Sequence, residues 1–280
     1  MNILTMNSVT NLDAQHRGHV LVAGSHGGLI AGMLAARAGV HALILNDAGV
    51  GKDAAGIASL DLLDTIGMAA ATVSRQSVSM GLGERALEKG VISHANRHAR
   101  AVGVAPGDCC REAAVKLCRA AAPVGELPVR SENRSLLGAQ NDYPPIIGCD
   151  SVCLVTPDDA GAILVVGSHA AMHAADPWSA LGAYAAAAFF HDAGCVADVE
   201  GISRLPVLDE YEIPAGAVDF RSARIGDAQS IWESGRLSFL NYAAQIAGWQ
   251  CGMSVQVASE KIQESVFASG NRVASMGGRS

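Results

Sequence analysis

The chain has 280 residues, half of them hydrophobic but only 4% aromatic, with a formal net charge of −7. That is enough apolar material for one large or two modest cores, packed from small side chains around sheets. The acidic balance, with no basic stripe, argues against a nucleic-acid partner, and no apolar run reaches bilayer length.

Met1 to Arg17 lacks the charged start and apolar run of a secretory leader. The seven cysteines are odd in number and show no C-x-x-C pair. Reduced thiols in a cytoplasmic protein are the expectation, with neither a disulfide framework nor a zinc ribbon.

In chain order, His19 to Ala23 is a short apolar run ending at Gly24, which predicts a buried parallel strand. Gly28 to Arg37 has helical composition and is closed by Gly39. His41 to Leu45 is the next strand, followed by a loop over 46–54. Ile57, Leu60 and Leu63 have helical spacing up to Gly67, and Ala69 to Val73 is a third strand. Glu84 to Val102 and Asp108 to Ala121 are expected as two further helices.

The second half repeats the first. V-L-V-A-G-S-H-G-G at 20–28 returns as I-L-V-V-G-S-H-A-A at 163–171, and D-A-G at 47–49 returns at 192–194. In the downstream register Asp64 pairs with Asp209, Ser77 with Ser222, Gly81 with Gly226, Ser93 with Ser238 and Asn96 with Asn241. A shared register across so many polar and glycine positions marks an internal duplication. The expected fold is α/β, built of two duplicated Rossmann-like units with mainly parallel sheets and pseudo-twofold-related halves. Residues 1–122 form the first repeat, 123–149 a linker or crossover, and 150–280 the second repeat with a frayed end.

In such sheets ligands bind beyond the carboxyl ends of the strands. Two loops per copy sit there. In the first, Ser25 is a candidate nucleophile or donor and His26 a candidate acid or base, while Gly27 and Gly28 let a substrate approach the backbone. The competing reading has Ser25 capping the following helix. In the second, Asp47 follows a strand as a candidate base, flanked by Asn46 and Gly49. Asp53 and Asp198 are expected as helix N-caps. G-V-G-K at Lys52 lacks the rest of a phosphate loop, so an NTPase is rejected.

The second copy offers His169 and Asp192 as counterparts. It also carries Arg224 and Asp227 where the first has Ser79 and Leu82. A guanidinium suits a carboxylate, so Arg224 is a candidate substrate holder in a composite site, with a simple Arg224–Asp227 pair as the alternative. His94/His98 and His169/His173 have i, i+4 spacing but no matching pair in the other copy. The histidine-glycine and D-A-G layout resembles that of caspase-like hydrolases. The cysteine that such enzymes use would fall at Ala48 or Ala193, and Cys195 comes two residues late.

The expected function is an enzyme for a small polar metabolite, carboxylated or amide-containing, and most simply a hydrolase using acid–base chemistry. No cofactor is expected, with Zn or Mn on His26, Asp47, His169 and Asp192 as the alternative. A two-lobed, non-catalytic binding protein is the competing function. The expected partners are the small-molecule substrate and further copies of the chain in a homo-oligomer, with no nucleic acid and no membrane.

Overall fold

The computed structural model describes residues 1–172, 180–195 and 199–276. The chain forms two compact units. The first comprises Met1–Ser131 and draws in short stretches of the second repeat, among them Ala171, Gly194 and Glu200; the second begins at Glu132.

In the first unit, strands β1 (Ile3–Met6), β2 (Val20–His26), β3 (Ala42–Asn46), β4 (Ala69–Val73) and β5 (Ile92–Ala95) lie in that order. All pair in parallel except β5, which runs antiparallel to β4. Alternate strand residues feed two cores. Leu21, Ala23, Leu43 and Leu45 face α1 (Leu29–Arg37) and α2 (Ser59–Asp64), through Ala31, Ala35, Leu60 and Leu63. Val20, Val22, Ile44 and Val73 face α3 (Gly83–Lys89), α4 (Arg97–Ala101) and α5 (Cys110–Leu117), through Ala86, Ala99, Ala113 and Leu117. Strands covered on both faces are apolar throughout, which is why they read as continuous runs. Both β2–α1–β3 and β3–α2–β4 crossovers cover the same face.

The second unit has β6 (Arg134–Leu137), β7 (Ile146–Cys149), β8 (Ile163–His169), β9 (Ala187–His191), β10 (Ala215–Val218) and β11 (Leu237–Leu240) in one sheet, antiparallel only at its two edges. Its helices are α6 (Arg204–Asp209), α7 (Ala228–Ser234), α8 (Tyr242–Ile246) and α9 (Val255–Met276). Phe189 stacks on Trp249 at 4.7 Å between ring centroids, filling the place of smaller residues in the first core. The α/β reading and the duplication therefore stand, as two sheets.

Several details differ from expectation. The segment 84–102 is no single helix: α3 ends at Gly90, and the chain returns as β5 before α4. A side chain at Gly90 would strike the Ala86 carbonyl at 2.4 Å and Val73 at 2.8 Å, so the turn needs glycine. Gly235 does the same before β11. Residues 123–149 hold β6 and β7, and β7 matches β1, so the repeat starts earlier than its sequence signal. Asp53 does not cap a helix. It lies inside a 3-10 segment at φ 54°, and α2 follows Ala58. Asp198 and His173 lie outside the described residues. His94 is on β5 and His98 on α4, so their spacing is not that of one helix. Among the described residues no helix is long and apolar enough to cross a membrane.

Candidate functional site

The candidate loops leave the carboxyl ends of β2 and β3. Gly24 is where β2 meets the turn before α3. Gly81 donates its N–H to the Gly24 carbonyl at 2.7 Å, and a Cβ on Gly24 would lie 2.4 Å from the Gly81 carbonyl carbon. Gly167 and Gly226 repeat the approach, with a 2.9 Å bond. Two repeated glycines therefore serve a backbone crossing.

Ser25 is still within β2, and its Oγ accepts the N–H of Val9 at 3.0 Å. Ser168 accepts from Val152 in the same way at 2.9 Å. The N-cap of α1 is Gly28, with no side-chain bond, so Ser25 caps nothing. Its recurrence is explained by anchoring the turn that precedes each strand.

His26 ends β2, in register with Asn46 on β3. Its Nδ1 accepts the Gly28 N–H at 3.1 Å, and Gly27 donates to the Asn46 carbonyl at 2.8 Å. An Nδ1 that accepts leaves the proton of the neutral ring on Nε2. In that tautomer Nε2 is a hydrogen-bond donor.

Asp47 is 5% exposed, and its Oδ1 accepts from Gly49 N at 2.9 Å and Arg75 N at 2.8 Å. Asn46 donates to the Val78 carbonyl and accepts from Ala48 N. Beyond them the chain takes left-handed conformations at Ala48, Gly49, Val50 and Gly51, then at Asp53 and Ala54. Val50, at φ 67°, is β-branched and strongly disfavoured there. In the second copy Ala193 and Gly194 share the conformation, but Cys195, the counterpart of Val50, does not. Within the first unit, Gly194 packs so closely that a Cβ on it would lie 3.0 Å from the Gly49 Cα.

The second unit uses its matching residues similarly. His169 is in register with His191, and Asp192 accepts from Phe220 N at 3.0 Å and from Ser238 Oγ at 2.8 Å. Arg224 donates from Nε to Asp227 at 2.9 Å, while the other Asp227 oxygen caps α7 through Ser230 N. The alternative of an Arg224–Asp227 pair is thus present. Ser25, His26, Gly27, Gly28, Asn46, Asp47 and Gly49 belong to the first unit. His169, Asp192, Arg224 and Asp227 belong to the second.

Burial of His191, 1% exposed, lowers its pKa to about 4; the bond to the Ala223 carbonyl opposes this only in part. Arg75, 7% exposed at the rim of the first sheet, was not singled out by the sequence. The available signal was its counterpart, the aromatic Phe220. Among the described residues no three His, Cys, Asp or Glu side chains are arranged to hold a metal ion. No family model, curated protein or solved structure matches the chain.

Proposed function

We propose that the protein is an enzyme acting on the carbonyl group of a small polar metabolite, carboxylated or amide-containing, at the rim of the first sheet. The observation that carries this is the left-handed run over Ala48–Gly51, Asp53 and Ala54 beside His26, in which Val50 takes a conformation that its counterpart Cys195 does not share. A β-branched residue held there costs about 1–3 kcal/mol, and such strain concentrates where backbone is shaped for a ligand.

In this reading His26 donates from Nε2 to the substrate carbonyl oxygen and stabilises negative charge as water adds to the carbon. A histidine that donates a hydrogen bond suits that work, since it polarises the carbonyl without giving up a full proton. Asp47 Oδ2, the oxygen not committed to Gly49 and Arg75, takes the proton from the water and returns it to the leaving nitrogen or oxygen as the bond between that atom and the carbonyl carbon breaks. Ser25 positions the strand. The uncapped first turn of α1 supplies N–H groups suited to a carboxylate on the same substrate.

The reading places the enzyme in the cytoplasm, in keeping with seven free cysteines. Tyr242 and Ile246, four residues apart on α8 and 69% and 70% exposed, support packing against a second copy in a homo-oligomer.

The test is hydrolysis of a panel of small amides, lactams and carboxylate esters by the wild type and by His26→Ala and His26→Gln. Turnover that falls at least a hundredfold in both variants, with unchanged melting, supports the proposal. Wild-type turnover unaffected by either variant overturns it. The commitment of Ser25 and Asp47 oxygens to backbone groups favours the binding-protein reading as second choice, and ligand binding without turnover would select it.

A further inference from the structure

A cavity of about 360 Å³ opens in the first unit between α2, β5, α4 and the 3-10 segment that starts at Lys52. It does not include His26 or Asp47. Its charged and titratable lining is Asp53, Asp61, Asp64, His94, Arg97 and Arg100, with Asn96 beside them and apolar atoms of Ile57 and Leu60 in the wall. Three carboxylates against two guanidiniums leave the cavity nearly balanced in charge, with both signs present.

The duplication provides an internal control. Asn96 and Asn241 do the same work in both copies. Each accepts from the first residues of a strand and of a helix, at 3.0 Å from Ala70 and Ala99 and at 2.9 Å from Ala215 and Ala244. Asp64 and Asp209 likewise both accept from the backbone at the start of α4 and α8. Four of the cavity's polar residues are not shared. Asp61, His94, Arg97 and Arg100 align with Pro206, Phe239, Tyr242 and Gln245. Residues that hold the backbone are common to both copies, whereas Asp61, His94 and both guanidiniums of the cavity belong to the first copy alone.

Two further observations point to an occupant. His94 Nδ1 and Asp64 Oδ1 are buried without a hydrogen-bond partner, Asp64 Oδ1 lying 4.0 Å from His98 Nε2. Arg100 spends only Nε on the Ala95 carbonyl, at 2.6 Å. Buried polar atoms are ordinarily hydrogen-bonded, so two such atoms lacking a hydrogen bond beside one cavity favour a polar ligand there.

We infer that this cavity binds a small zwitterion of the α-amino-acid class, its carboxylate on Arg97 and Arg100 and its ammonium on Asp61 and Asp64. A ligand of one sign would leave one half of the lining uncompensated in a partly enclosed space. A planar guanidinium takes a carboxylate through two parallel bonds. The volume suits one small metabolite.

The test is isothermal titration of the full-length protein with each of the common L-amino acids, with acetate and methylammonium as single-charge probes. Saturable binding of at least one amino acid is expected, weakened at least tenfold in Arg97→Gln/Arg100→Gln and in Asp61→Asn. Asp61 makes no side-chain hydrogen bond among the described residues, so that variant retains the fold even if the double variant does not. His26→Ala binds as the wild type does, which separates this site from the proposed catalytic one. No binding by any amino acid, equal binding to the variants, or acetate binding as tightly as the amino acid each overturns the inference.

Discussion

Asn46 and His191 stand at matching positions, and each donates a 3.0 Å hydrogen bond to a matching carbonyl, Val78 for the first and Ala223 for the second. Two chemically different side chains therefore do one structural job, pinning the end of a central strand to the loop that crosses above it. His191→Ala leaves the Ala223 carbonyl unpaired in the core and opens a cavity, at a cost of about 2–4 kcal/mol. His191→Asn, borrowing the residue of the other copy, recovers more than half of that loss. Urea unfolding of the three proteins checks it.

The same histidine sets a pH dependence. Its folded pKa is about 4, below the ordinary 6.5, because burial disfavours the charged ring. The unfolded chain then binds the extra proton more readily, so stability falls as pH drops from 6.5 towards 4 and levels off below that. The contribution is at most about 3 kcal/mol. His191→Asn removes this part of the slope, and melting followed between pH 4 and 7 reads it.

Asp47 separates structure from chemistry. Asp47→Asn keeps an oxygen for the Gly49 and Arg75 N–H groups and melts close to the wild type. Asp47→Ala loses both bonds and is destabilised by about 2–4 kcal/mol. If Asp47 takes a proton in the reaction, the Asn variant is folded but turns over at least a hundredfold more slowly. Unchanged turnover in a folded Asp47→Asn protein removes the base from the proposed mechanism.

Val50 bears the cost of its loop. Val50→Gly admits the left-handed backbone without steric conflict and stabilises the fold by up to about 1 kcal/mol, despite greater freedom in the unfolded chain. The same change loosens the loop, so turnover falls while the melting temperature rises. A lower melting temperature would show that the valine side chain contributes more through packing than its backbone costs.

Gly24 and Gly167 give a stringent pair. Alanine at either meets backbone atoms within 3 Å and costs about 3 kcal/mol or more, whereas Gly18→Ala, at φ 73° with open space, costs about 1 kcal/mol. Denaturation midpoints rank the three.

The strands were legible because β2, β3 and β4 are covered on both faces and so carry unbroken apolar runs. The duplication was legible because Gly24, Ser25, Asp47, Ser77, Gly81 and Asn96 recur in register. Their shared purpose was not. Ser25 looks like a nucleophile or a cap in isolation, and only the position of Val9, sixteen residues earlier, makes it an anchor. β5 was hidden because helix and strand propensities overlap across 84–102, and the choice there is made by Gly90 closing against Val73 from another strand. The tautomer of His26, the burial of Arg75 and the cavity beside His94 depend on groups brought together from distant segments. Local pattern fixes which residues can be buried. Which atoms then find partners is decided by packing between elements, and the chemistry of a site is written in those partners.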